Sequence, residues 1–137
     1  MLGRTSYPKD YVEATRARVA RQLRIFDALA KGSKAGDLAS LEAAFCESMV
    51  LGLELAFVHR VRKAEGKDGN PLNEVRLLAA SLLEHDGVMS EDPTIKYAAA
   101  KSVTGMAMGD KILLDRATLA RLAEAFFTQI EAKYPAA

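Results

Sequence analysis

The stretch DLASLEAAFCESMVLGLELAFVHRVRKAE, residues 37–65, decides the fold. Asp37 reads as an N-cap, and Leu38, Leu41, Phe45, Met49, Gly52 and Ala56 follow at helical spacing. The pattern predicts one helix running to about Glu65, about 28 residues or about 42 Å at the rise of an α-helix. Between Met49 and Val58 almost every residue is apolar, which predicts a central helix buried all round. Glu54 interrupts that run between Leu53 and Leu55. The apolar stretch is also far short of the roughly twenty residues that cross a bilayer, so no membrane partner is expected.

Helices are predicted on both sides of this one. Val12, Val19, Leu23, Phe26 and Ala30 set a helical period over Lys9–Ala30, and Gly32 is placed to end it. Downstream, Gly66 closes the central helix and Lys67-Asp68-Gly69 makes a tight turn. Asn70 caps a third helix with Pro71 at its first position, where a missing N–H costs nothing. Val75, Leu78, Ala79 and Leu82 line that helix, and Gly87 ends it. Asp115 caps the last helix, striped by Leu119, Leu122, Ala123, Phe126, Phe127, Ile130 and Tyr134. Between the third and fourth helices, Met106-Ala107-Met108 and Ile112-Leu113-Leu114 flank Gly109-Asp110-Lys111, a β-hairpin signal. Thr94–Ser102 reads alternatively as a short helix after Pro93. The expected fold is mainly α: a bundle of about four helices with a small β-hairpin between the third and fourth. It divides into a basic N-terminal helix (1–34), a central helical hairpin (36–86), a hairpin or loop (88–114) and a C-terminal helix (115–134).

The 137 residues suit one domain with a self-sufficient core. Half are hydrophobic and 27% charged, which excludes a disordered or low-complexity chain. The single cysteine, Cys46, excludes an internal disulfide and reads as a buried small hydrophobe. The N-terminal residues show no secretory h-region, so cytoplasmic residence is expected. The formal net charge of +1 hides an asymmetry. Residues 1–34 carry 8 Lys/Arg against 3 Asp/Glu, and the remainder 11 against 15. A helix bearing Arg16, Arg18, Arg21 and Arg24 beside an acidic body predicts docking onto its own domain or a partner subunit. Nucleic acid is not expected, for the charge comes without interleaved aromatics or a helix-turn-helix pattern.

No phosphate-binding or dinucleotide-binding glycine motif is present, and no cofactor is expected. The residues three positions before His59 and His85 are Ala56 and Leu82, which excludes the Glu-x-x-His pairs of a di-iron bundle. His-Glu-x-x-His is absent too, and no metal site is expected. Two clusters remain as candidates. Glu47 and Glu54 stand seven positions apart on nearly one helix face. They read either as paired carboxylates working on a ligand or as a polar edge that meets arginines of the first helix. His59, Arg60, Lys63 and Lys67 precede the turn capped by Asn70, and with Asn73 and Glu74 they read either as an anion site or as charges complementing helix ends. In the second reading Arg60 or Lys63 bridges to Glu74.

Phe57-Val58-His59-Arg60 followed by Gly-Lys-Asp-Gly-Asn-Pro-Leu-Asn-Glu-Val-Arg at 66–76 resembles a family of short uncharacterised bacterial proteins, mainly actinobacterial. The likeness extends over about residues 40–134 and leaves out the basic first helix. It implies no activity, cofactor or partner. The leading expectation is a small helical protein acting through protein contacts as a homodimer. The alternative is a small-molecule enzyme or sensor with an anionic ligand held between helices near Glu54, His59 and Arg60.

Overall fold

A computed structural model of the protein describes residues 3–137, and its regular secondary structure is helical. The elements are α1 (Lys9–Ala30), α2 (Ala35–Ala56), α3 (Arg62–Glu65), α4 (Pro71–Glu84) and α5 (Arg116–Lys133), with one 3-10 turn at Ala99–Lys101. α1 and α2 form an antiparallel hairpin, pinned near its turn by Phe26 stacked on Phe45, 4.8 Å between ring centres. At its open end the Tyr11 hydroxyl donates to the carbonyl of Ala56. No helix among the described residues is long and apolar enough to cross a membrane.

Three helices lie where their sequences predict, and two of them, α4 and α5, carry the predicted N-caps. α1 buries Val12, Thr15, Val19, Leu23 and Phe26, one stripe at spacings of three and four. α4 starts at Pro71, and the Asn70 side chain accepts from the N–H groups of Leu72 and Asn73. α5 starts after Asp115, whose carboxylate accepts from Thr118 N–H at 2.8 Å. The end of α1 differs in detail. Gly32 has no left-handed φ, and the Ser33 hydroxyl instead donates to the Leu29 carbonyl.

The central helix is shorter and less central than its sequence predicts. α2 begins at Ala35, with Lys34 at the cap and Asp37 inside the first turn. It stops at Ala56, and Glu65 belongs to the four-residue α3. The break has a tertiary cause that overrides helical propensity. Val61 N–H donates to the Arg4 carbonyl and Arg4 N–H to the His59 carbonyl, so this backbone pairs with the N-terminal segment instead of with the preceding turn. Phe57 turns inward and is fully buried, ringed by Tyr7, Tyr11, Phe126 and Phe127 at centroid distances of 4.9–6.3 Å. α2 buries Cys46, Met49, Val50 and Leu53 on one side only, while Leu55 on the other side is 72% exposed. The helix enclosed nearly all round is α4, with Leu72 to Val75, Leu77 to Ala79 and Ser81 all buried.

The predicted β-hairpin is absent: the described residues contain no strand, only isolated bridges. Gly109-Asp110-Lys111 does turn, with the Asp110 carboxylate accepting from Ala107 N–H. Its backbone pairs with residues 87–89, however, through Met89 N–H to Asp110, Gly109 N–H to Met89 and Ile112 N–H to Gly87. The two apolar runs therefore never lie side by side. The N–H groups of Val103 and Thr104 are held by the Glu74 carboxylate, and Tyr97 donates to the Met106 carbonyl. These side-chain anchors shape 95–106 as a loop laid over α4 and α5.

Phe57 carries the packing of the α2 end. Phe57→Ala is expected to cost about 3–5 kcal/mol, the range for a buried aromatic truncated in a packed core. Urea denaturation followed by far-ultraviolet circular dichroism measures it, and a loss under about 1 kcal/mol contradicts this assignment.

Candidate functional site

The chain break after Ala56 brings four charged side chains together inside the molecule. Glu54 lies on the last turn of α2, Arg60 in the connection, Glu65 on α3 and Arg76 on α4. Glu65 is fully buried, accepts hydrogen bonds from two guanidinium groups and lies at ion-pair distance from a third. Arg60 Nε is 2.7 Å away, Arg76 holds both carboxylate oxygens at 3.0 and 3.1 Å, and Arg62 Nε lies at 2.9 Å. Arg60 is equally committed. Besides Glu65 it donates to the carbonyls of Phe57 and Leu72, and its guanidinium lies over the Phe126 ring at 5.4 Å. Glu54 stands at the rim of this cluster, with Oε1 3.0 Å from an Arg60 nitrogen and Oε2 3.7 Å from Arg76. The Arg60 contact is out of line for a hydrogen bond, and Glu54 Oε1 is buried with no donor aligned on it.

The two carboxylates differ in what surrounds them. Burial pushes the Glu54 carboxyl above the ordinary glutamate range, and Arg60 and Arg76 only partly offset that push. Burial acts on Glu65 in the same direction, but the hydrogen bonds and charges of Arg76 and Arg60 outweigh it, and its carboxyl is held below the ordinary range. The cluster has two carboxylates for three arginines, one of them half-exposed Arg62, and all are engaged inside the chain. Arg60 therefore offers no free guanidinium edge to a ligand.

The other candidate residues disperse. Glu47, half-buried on α2, has no ion pair, and the acids of this helix do not converge as a pair. Glu54 meets Arg60 and Arg76, not arginines of the first helix. His59 is exposed, with its carbonyl taken by Arg4. Lys63 and Lys67 are exposed and line a shallow cavity of about 380 Å³ with Arg62, Gly66 and Thr94. Glu74 is fully buried, and the bridge to Arg60 or Lys63 is not made. Its carboxylate instead accepts from Val103 N–H, Thr104 N–H and the Thr104 hydroxyl at 2.7–2.9 Å. Asn73 donates to the carbonyls of Gly66 and Asp68 and leaves its own buried Oδ1 unpartnered.

Asn70 settles what the start of α4 can do. Its Oδ1 takes the N–H groups of Leu72 and Asn73, its carbonyl takes Glu74 N–H, and Pro71 has none to offer. The backbone donors that would seat an anion at this helix end are spent within the chain. Gly66, at φ +87°, gives the turn the left-handed residue that a Cβ would strain, and a Cβ at Gly69 would stand only 3.0–3.3 Å from Tyr97 and the Lys96 carbonyl. Cys46 is fully buried and desolvation pushes its thiol up to about 12, so the thiolate needed for nucleophilic work is not populated near neutral pH.

No family model, no curated protein and no solved structure matches this chain. Glu65 and Arg76 are the members of the cluster that periodicity does not single out. Arg76 carries a signal of the same kind as Glu54, a charge set between apolar neighbours, here Val75 and Leu77.

The opposite shifts give opposite pH dependences. The lowered Glu65 pKa contributes stability above the ordinary glutamate value that is lost as pH falls through the folded-state pKa. The raised Glu54 pKa favours the folded state below that value, and this contribution disappears as pH rises through its folded-state pKa. Glu65→Gln is therefore expected to cost about 3–5 kcal/mol at neutral pH, as for any buried pair with one partner removed, with the deficit shrinking toward acid pH. Glu54→Gln is expected to cost less than Glu65→Gln, with its deficit widening toward acid pH. Urea titrations over a pH series measure both, and an equal cost at neutral pH refutes the distinction.

Proposed function

We propose that the protein acts through protein–protein contacts as a cytoplasmic homodimer joined at the outward face of α2. The carrying observation is the composition of that face. Leu41, Ala44, Ser48, Gly52 and Leu55 form one exposed stripe at helical spacing without a charged residue between its ends. A helix face turned to water is normally charged or polar, and an uncharged one marks a contact surface. A Cβ at Gly52 would meet nothing, so the backbone there is open to close approach.

The stripe is also nearly symmetrical about Ser48. Leu41 mirrors Leu55, Ala44 mirrors Gly52, and half-buried Phe45 mirrors Leu51. Such a pattern suits a two-fold interface, in which the same patch serves both copies. Beside it, α1 and α2 leave a groove of about 440 Å³ with Tyr11, Arg18, Gln22 and Ser48 on its walls. Exposed Ile25 and Leu29 extend the apolar surface toward the hairpin turn.

Light scattering on a size-exclusion column at micromolar concentration is expected to give twice the chain mass of 14.8 kDa. Leu55→Asp is expected to return the chain mass with an unchanged circular dichroism spectrum, since Leu55 lies outside the core. A monomeric wild-type protein refutes the proposal.

A further inference from the structure

On the far side of the Gly66–Asn70 turn from Lys63 and Lys67, α4, the 96–103 loop and the end of α5 enclose a cleft of about 470 Å³. Lys96, Lys101 and Lys133 lie on its walls together with Gln129, Asp68 and Glu74. We propose that this cleft binds a small anion carrying one or more phosphoryl groups, gripped by the three ammonium groups.

The argument rests on which lining groups are free. Among the described residues, none of the three lysines lies within ion-pair distance of a carboxylate. The two acids on the walls are already engaged by neutral donors. Asp68 Oδ1 accepts from the Asn70 amide at 2.8 Å, and Glu74 accepts three hydrogen bonds from Val103 and Thr104. Lys133 spends one donor on the Glu65 carbonyl at 2.9 Å, which fixes the ammonium at the cleft and leaves two protons for a ligand. Three ammonium groups against two carboxylates leave a net positive charge on a concave surface, which focuses the field and raises the local concentration of anions.

Three features favour a small phosphorylated molecule over a polyanion. The positive groups converge on a cleft of metabolite size and do not run along an open face. Lys96 is held in place by its backbone, whose N–H donates to the Lys67 carbonyl at 2.7 Å, and Gly69 packs against the same segment. Lys101 is presented by a 3-10 turn anchored on the Ser102 hydroxyl and, two residues on, by Glu74. Glu74 is thus a positioning residue: its buried carboxylate holds the loop that carries Lys101. The lysines supply rotatable point charges in place of the backbone N–H groups that Asn70 has taken, a donor set suited to phosphoryl oxygens. This site shares no residue with Glu54, His59 or Arg60 and is independent of the dimer face.

Isothermal titration of the full chain with pyrophosphate at low salt is the test, with inorganic phosphate as the weaker probe. Saturable binding is expected at one site per chain. The double variant Lys96→Gln/Lys101→Gln is expected to weaken it about tenfold or more, the worth of a charge-assisted contact. The double variant Lys63→Gln/Lys67→Gln, across the turn, is expected to leave it unchanged within about twofold. All four lysines are exposed, so both variants should keep the wild-type circular dichroism melt. No saturable binding by the wild-type protein, or equal weakening by the two double variants, overturns the proposal. So does tighter binding of a single-stranded oligonucleotide than of pyrophosphate with dependence on Lys63 and Lys67, which would mark a diffuse polyanion surface.

Discussion

The carboxylate of Glu65 is the point on which the centre of the molecule depends. Three arginines from three places in the chain reach it, and its backbone carbonyl takes Asn70 and Lys133 as well. A fully buried carboxylate without these partners would cost several kcal/mol in lost hydration. The end of α2, the Gly66–Asn70 turn, α4 and the last turn of α5 must all be in register for the cost to be met. Replacing such a network by apolar side chains often leaves stability unchanged or raised, so its role here is to specify one arrangement. A slip of α4 by one turn would take Arg76 away from Glu65 and Glu54, and the landscape penalises that slip more than an apolar core would.

The same constraint explains where helical periodicity misleads. α1, α4 and α5 were legible because each carries an apolar stripe, and α4 and α5 add a capping side chain directly ahead of them; both signals are local. The continuation of α2 through Arg60 to Glu65 satisfies local propensity equally well. It loses to contacts at long sequence separation: Arg4 with the 59–61 backbone and Phe57 with the aromatic cluster. In the 88–114 segment the Gly109 turn was legible but its pairing was not. The runs on either side of such a turn pair with each other only if nothing holds them better, and Glu74 and Tyr97 do. Glu74 read as a helix-end charge, yet its partners are loop N–H groups about 30 positions away, which no spacing rule reaches.

Charged residues inside apolar runs were the most informative signal for the buried cluster. Glu54 among leucines and Arg76 between Val75 and Leu77 belong to different helices and have opposite sign, and they meet at 3.7 Å. Paired on sequence grounds alone, these two residues place α2 against α4. Glu65 gave no such signal, because it lies in the polar stretch Arg62-Lys63-Ala64-Glu65-Gly66 and is buried only by the way the turn folds. Arg60 was prominent in sequence and is consumed by the core, while Lys96, Lys101 and Lys133 are scattered along the chain and meet only in three dimensions.

The near-neutral net charge of +1 is in this light a sum of separate local balances. On α1, Arg16 docks onto Glu124 and Glu131 of α5 and Asp27 receives Arg116, which ties the basic helix to its own domain. Arg18, Arg21 and Arg24 are exposed, and Arg18 lines the groove beside α2. At the α4 start Glu74 is turned inward onto amide and hydroxyl donors, while exposed Asp68 accepts from the Asn70 amide. Charge is therefore sorted by place: paired in the core, absent from the exposed stripe of α2, and in excess by one cation at the cleft beside α4. Because α2 and the lysine cleft share no residue, and the buried cluster lies between the segments that build each, the core fixes the geometry of both surfaces without belonging to either.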